Sequence, residues 1–208
     1  IGGTTPSLTI GDAGAEDTKI VFDGNAQDWH IGLDDSADDL VIGLGSTLGT
    51  TTHMSFDETG AVNKPLQPAF YAIKSTEASD ETGDGTDYPI AGYNTERFDQ
   101  NADFNLTTGV FTAPVSGRYL FTMIVRLTDV ANNMNDNQLK LVTSNDTVGL
   151  LGVLTSSTIS FSSSTNENHS IVMDMDAADT ASILVDFRGG AKSVNINAES
   201  VFSAVLLC

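Results

Sequence analysis

Thr107-Thr108-Gly109-Val110-Phe111-Thr112-Ala113-Pro114-Val115-Ser116-Gly117-Arg118-Tyr119-Leu120-Phe121-Thr122-Met123-Ile124-Val125-Arg126-Leu127 is the stretch whose reading decides the fold. Its second half alternates with period two. Tyr119, Phe121, Met123, Val125 and Leu127 are all apolar or aromatic, while the even positions mix Arg, Leu, Thr and Ile. That is a long strand with one face in a core. The other face is apolar enough to call for a neighbouring subunit or loop. Gly109 lets the preceding turn close and is expected at positive φ, which a residue with a Cβ adopts only under strain. Pro114 breaks the ladder because it has no N–H to donate, so Val115–Gly117 can turn, and Gly117 releases the long strand.

Working outward, β-favouring segments separated by Gly-rich or Asn-rich turns are expected at Pro68–Lys74, Phe98–Leu106, Val110–Thr112, Gln138–Thr143, Gly149–Ser156, Ser157–Phe161, His169–Met175, Ala181–Phe187, Val194–Ala198 and Ser200–Leu207. No stretch carries a 3.6-residue stripe of helical length. Strand number and spacing predict an antiparallel sandwich with Greek-key connections. The segments Ala69-Phe70-Tyr71-Ala72-Ile73 and Val201-Phe202-Ser203-Ala204-Val205-Leu206-Leu207 are apolar on both faces, which marks central strands and predicts that the two pair.

Residues 1–60 have a different texture. Short stretches such as Lys19-Ile20-Val21-Phe22, Trp29-His30-Ile31-Gly32-Leu33 and Leu40-Val41-Ile42-Gly43-Leu44 each close on Gly or Asp, and Ile-Gly recurs at Ile10, Ile31 and Ile42. One such unit has too little apolar area to offset the entropy of ordering its backbone. Two readings are open: an elongated, intertwined stalk in which several chains share a core, or a small β-domain of two or three hairpins. Residues 61–67, held extended by Pro65 and Pro68, form the junction. The organisation expected is a repetitive β-rich trimeric stalk at 1–60, the junction at 61–67 and a globular head at 68–208.

The charge narrows the partners. A net charge of −19 makes a nucleic-acid backbone or an anionic membrane an improbable target, and no apolar run is long enough to cross a bilayer. One Lys stands against eleven Asp and Glu in residues 1–60, and eight Lys and Arg against seventeen in the remainder. The acidic turns at Asp12–Asp17 and Asp34–Asp39 lack the spacing of a calcium-binding loop and read as solvated turns. The single cysteine, Cys208, makes no intrachain disulfide and reads as a strand-end residue. His30, His53 and His169 are too scattered for a zinc set, and there is no nucleophile elbow or phosphate loop, so no enzyme is indicated and no cofactor is implied.

Tyr93, Asp99, Phe104, Phe111, Gly117, Tyr119 and Phe121, at their observed spacings, resemble the signature of the C1q-like domain, a trimeric jelly roll shared with the tumour-necrosis-factor fold. Tyr93 stands where that family usually has Phe, and Met123 where an aromatic is common. The resemblance covers residues 68–208. It implies an all-β, ten-stranded jelly-roll head, homotrimeric, with Tyr93, Phe104, Phe111, Gly117, Tyr119 and Phe121 as fold core. Residues 1–60 are similar, less specifically, to stalk repeats of bacteriophage tail fibres.

The combination leads to the expectation of a virion adhesion tip, an extracellular surface appendage that trimerises and binds a host-surface glycan or protein receptor. A secreted cellular C1q-like recognition protein is the first alternative, and a polysaccharide-cleaving tailspike-type enzyme the second. Phe70, Ile124, Phe202 and Leu206 are the trimer-interface candidates. Asn132, Asn133, Asn135, Asp136, Asn166 and Asn168, with the Thr76–Asp87 segment, are the receptor-binding loop candidates. Calcium is the one ion the resemblance brings with it, with Asp174, Asp176 and Asp179 as acidic candidates and Asp186 nearby.

Overall fold

The computed structural model describes residues 7–131, 133–134, 136–150 and 165–208. The chain divides into two compact units, Ile1–Gln67 and Pro68–Cys208.

The first unit is an antiparallel meander of β1 (Thr18–Phe22), β2 (Trp29–Asp34), β3 (Asp39–Leu44), β4 (Thr52–Phe56) and β5 (Val62–Asn63), hydrogen-bonded in sequence order. The ladder is complete within one chain, so backbone pairing here does not require the intertwined arrangement that the repeat texture suggested. The acidic turns are tied by their own carboxylates. Asp12 accepts the Gly14 N–H, Asp17 the Asp35 N–H, and Asp34 the Ser36 N–H and hydroxyl. This is the ordinary turn chemistry of aspartate and needs no ion.

The second unit is a sandwich of two antiparallel sheets. Its strands are β6 (Ala69–Lys74), β7 (Ala78–Thr82), β8 (Asp87–Pro89), β9 (Thr95–Gln100), β10 (Phe104–Asn105), β11 (Val110–Thr112), β12 (Gly117–Thr128), β13 (Gln138–Thr143), β14 (Thr147–Gly149), β15 (Thr165–Met175), β16 (Thr180–Asp186), β17 (Val194–Ile196) and β18 (Ser200–Leu206). One sheet runs β7-β17-β12-β18-β6-β9 with β15 added on the free side of β12. The other runs β10-β11-β16-β13-β14, with β8 also on β16. Thirteen strands are described rather than the ten expected: β9 and β10 divide one expected strand, and β7 and β8 lie in and beside the Thr76–Asp87 segment expected as a loop. The strands expected at Gly149–Ser156 and Ser157–Phe161 lie outside the described residues apart from Gly149 and Leu150.

One division has a visible cause. The single strand expected over Phe98–Leu106 breaks at Asn101 and Ala102, both at positive φ, and the Asp99 carboxylate accepts the N–H groups of Asp103 and Phe104 at 3.0 Å each. Asp99 therefore serves in the signature as the cap that turns the chain and aims Phe104 inward.

The long strand behaves as its alternation implies. Tyr119, Phe121, Met123, Val125 and Leu127 are all buried, and the first and last strands of the unit pair along their length. Phe70, Phe104, Phe111, Tyr119, Phe121 and Phe202 form the aromatic centre. Phe70 stacks on Phe104 with centroids 4.3 Å apart, and Phe121 lies 5.8 Å from Phe202. Such pairs add about 0.5–1.5 kcal/mol each beyond the area they bury. Two glycines are fixed by close approach. Gly109 has φ +70°, and a Cβ there would lie 2.1 Å from the Ile90 carbonyl oxygen. At Gly117 a Cβ would meet the Cys208 carbonyl oxygen at 2.5 Å, so this glycine makes room for the end of the closing strand as well as starting β12.

Candidate functional site

Among the described residues, the outer face of the seven-stranded sheet carries half-buried and exposed side chains, with only Val201 of its two apolar rows buried. Register places Ala69, Val205, Leu120 and Val172 abreast in one row across β6, β18, β12 and β15. A second row holds Ile73, Val201, Ile124 and Asn168, and between them lie Tyr71, Ser203, Thr122 and Ser170, with Phe98 beyond Tyr71 on β9. Phe98, Val172 and Leu207 are each nearly half exposed. Arg126 and Glu199 form an ion pair at one margin. Two apolar rows separated by a band of hydroxyls, with an ion pair at the margin, make this face the candidate interaction surface.

Only one of the four trimer-interface candidates, Ile124, lies on that face. Phe70 and Phe202 are fully buried in the sandwich, and Leu206 packs on the core side. The reason is phase: Phe70 sits opposite Ala204 and Phe202 opposite Ala72, so each large ring is accommodated by a small residue on the core-facing side of the ladder. Val205, Leu120 and Val172 take the place of these candidates on the outer face.

A second surface forms where three loops meet at one end of the sandwich. The N–H groups of Gly83 and Gly85 donate to the Phe187 carbonyl at 3.1 and 2.9 Å, Gly190 N–H donates to the Gly83 carbonyl at 2.9 Å, and the Asn133 amide donates to the Gly189 carbonyl at 2.9 Å. Met134 is buried beneath them and anchors the segment. Arg188 pairs with the fully buried Asp186 and reaches Asp136 at 3.6 Å; Lys140 lies 3.9 Å from Asp186. Hydrogen bonding and charge from Asp186 push the Arg188 guanidinium up. Asp84 is held below the usual carboxylate range, chiefly by its hydrogen bonds to Thr86, with the Lys192 charge adding to them.

This end gathers Asn133 and Asp136 with part of the Thr76–Asp87 segment. Asn132 and Asn135 lie outside the described residues. Asn166 and Asn168 are not loop residues: they belong to β15, exposed on its outer face opposite Arg126 and Ile124 of β12. Within Thr76–Asp87, Ala78–Thr82 is strand β7, paired with β17. Sequence reasoning missed Arg188 and Lys192; the signal was two of only nine cations sitting in a Gly-Gly turn between strands.

The acidic candidates for calcium are not gathered into a set. Asp174 is exposed on β15, opposite Arg118. Asp176 accepts from Ser116, and Asp179 accepts the Asp176 N–H at 2.8 Å and the Ser144 hydroxyl at 2.8 Å, so these carboxylates tie turns together. Asp186 belongs to the ion-pair group at the other surface. Among the described residues no three His, Cys, Asp or Glu side chains meet as a metal cage.

Comparison with known proteins bears on residues 69–207, which match the family model described as the C1q domain. Among solved structures, the chain is similar to the globular domain of zebrafish complement 1qA protein, 23% identical, covering 68% of this chain and 98% of that one with a TM-score of 0.48. It is also similar to murine APRIL at pH 8.0, 11% identical, covering 68% and 99% with a TM-score of 0.45, and to murine APRIL at pH 5.0, 10% identical, covering 68% and 99% with a TM-score of 0.46. No curated protein matches the chain. The similar structures are those of animal proteins, and that finding overturns the expectation of a bacteriophage tail fibre or virion part.

Proposed function

Because this chain belongs to the C1q domain family, a non-catalytic recognition fold, we propose that residues 68–208 are the head of a secreted, extracellular recognition protein that works as a homotrimer. Three copies assemble through the outer face of the seven-stranded sheet. Each then presents the 83–87, 133–134, 136–137 and 187–192 segments to a partner, and three weak contacts on one rigid body give avidity well above that of a single contact. A polysaccharide-cleaving activity does not fit a recognition fold of this family.

The observation that carries this reading is the row Ala69, Val205, Leu120 and Val172, which has apolar side chains at every position, half-buried at Ala69, Leu120 and Val205 and nearly half exposed at Val172 among the described residues. The face is cyclic-symmetry compatible, since one flank of each sandwich is buried against its neighbours around an axis. The partner-facing end mixes Arg188, Lys192, Asp84, Asp136 and Asn133. That chemistry suits a polar protein surface or an anionic glycan and leaves the apolar sheet face for assembly.

The experiment is Leu120→Lys in the full chain, followed by gel filtration. The side chain sits mid-sheet on the outer face, away from the core, so the variant is expected to keep its β signature in circular dichroism while eluting as a single copy. Unchanged assembly in that variant would contradict the reading. Arg188→Glu with Lys192→Glu is expected to leave assembly intact and abolish signal on an array of sulfated and sialylated glycans; unchanged glycan signal would assign recognition elsewhere.

A further inference from the structure

One side of the first unit's sheet is lined by apolar side chains that are largely open among the described residues of the unit. Ile20, Ile31, Ile42 and Met54 lie abreast across β1 to β4. Leu33, Leu40, Phe56 and Val62 form a parallel row across β2 to β5. Phe22, Trp29 and Leu44 complete the same face. The other side is closed by the chain itself: His30, Val41 and Ser55 are buried there, His30 Nδ1–H donates to the Gly45 carbonyl at 2.9 Å, and Leu48 of the 45–51 loop reaches over Gly32. One face is thus finished within the unit and the other is not.

We propose that this apolar face is a contact between copies of the chain, in which the β1–β5 sheets of the three protomers turn this face toward one another around a common axis and supply the hydrophobic core that none of them has alone. The inference rests on the assembly reading above and extends it to a second, separate surface. Three observations select another copy as the occupant. Seven large side chains on this face are 37–61% exposed, which amounts to about 600 Å² of apolar surface if each offers ~200 Å² when fully open, close to the ~800 Å² each partner loses in a standard interface. The three rows contain no charged residue, whereas the unit's acidic groups lie in its turns or, for Asp34 and Asp39, at strand ends outside these rows; a strongly acidic unit can therefore meet its like without opposing carboxylates across the contact. Head assembly also holds the tethered first units at high effective concentration, so even a modest interface fills.

Trp29 is the only tryptophan in the chain and lies on this face, 40% exposed in one copy. It reports directly on whether the face is covered. Acrylamide quenching of the full chain, with mass followed by sedimentation in the same samples, is the test. The assembled chain is expected to show quenching several-fold weaker than the single-copy Leu120→Lys chain, and Leu33→Asp with Leu40→Asp is expected to restore strong quenching while the heads stay assembled. An assembled chain whose Trp29 is as accessible as free tryptophan overturns the inference and leaves the head reading standing. Shielding that persists in the single-copy chain also overturns it, because the cover then comes from the same chain. Failure of the chain to assemble at all appears in the sedimentation and removes the head reading, and this inference with it. A second measurement does not depend on the aspartate pair folding. Ile42→Cys in a Cys208→Ser background places one thiol at the centre of the face, where oxidation is expected to give covalently linked copies; linkage no greater than that of Cys208→Ser alone contradicts the proposal.

Discussion

Replacing Tyr93 with Phe removes one hydroxyl from the densest part of the second unit. Tyr93 is 3% exposed, its ring packs edge-on against Phe104 with centroids 5.4 Å apart, and its hydroxyl oxygen is buried without a hydrogen-bond partner. An unsatisfied buried polar group costs about 1–3 kcal/mol, and the small void left by the hydroxyl returns part of that as lost contacts, so Tyr93→Phe is expected to stabilise the domain by about 1 kcal/mol near neutral pH. Burial, with a smaller contribution from Tyr88, pushes the folded phenol far above its usual range. The unfolded chain therefore releases this proton at ordinary alkaline pH while the folded chain keeps it, and stability present below pH ~10 is lost as pH rises beyond it. At pH 11 that loss is about 1.4 kcal/mol from RT ln(1 + 10), so the advantage of Tyr93→Phe should grow from about 1 to about 2.4 kcal/mol between pH 8 and pH 11. Denaturant unfolding of both proteins at one fixed protein concentration measures this directly. A destabilised variant, or an advantage that stays flat across that range, would refute the reasoning.

Other consequences are equally measurable. Phe111→Ala, in the aromatic centre, is expected to cost about 3–5 kcal/mol in the same unfolding assay. Gly109→Ala adds a Cβ that would lie 2.1 Å from the Ile90 carbonyl at a φ of +70°, and should reduce stability by more than the ~1 kcal/mol of an ordinary glycine substitution. Lys74 is 4% exposed and donates to the Ala91 carbonyl at 2.9 Å; burial lowers its pKa, with Glu81 opposing. The unfolded chain then carries the extra proton, so this residue makes stability climb with pH in the range just below 10.5. Lys74→Met should be at least as stable as the parent at pH 7, with an advantage that shrinks toward pH 10.5 when the two denaturation curves are compared.

The head was legible in the sequence because its decisive signals are local. Period-two alternation in 119–127, positive φ at Gly109 and the strand break at Pro114 each follow from chemistry within a few residues, and the aromatic spacing from Tyr93 to Phe121 does the rest. Which side of the seven-stranded sheet faces outward was not legible to the same degree. Strands β6 and β18 are apolar on both sides, so composition cannot say which side is the core; only the cross-strand match of Phe70 with Ala204 and Phe202 with Ala72 decides it. Asn166 and Asn168 have low strand propensity and read as loop, but an eleven-residue pairing with β12 overrides that preference. Arg188 and Lys192 were missed because their significance comes from loops far apart in the chain meeting at one end. In the first unit, Ile10, Ile31 and Ile42 read as repetition, whereas register shows two of them, Ile31 and Ile42, abreast with Ile20 as a single row on one face.

Sedimentation equilibrium of the unmodified full chain at micromolar concentration tests the central claim most directly. Assembly through the outer sheet face predicts a species of about 66 kDa, three times the 21.9 kDa of one chain. A single species at 21.9 kDa across that concentration range would contradict it.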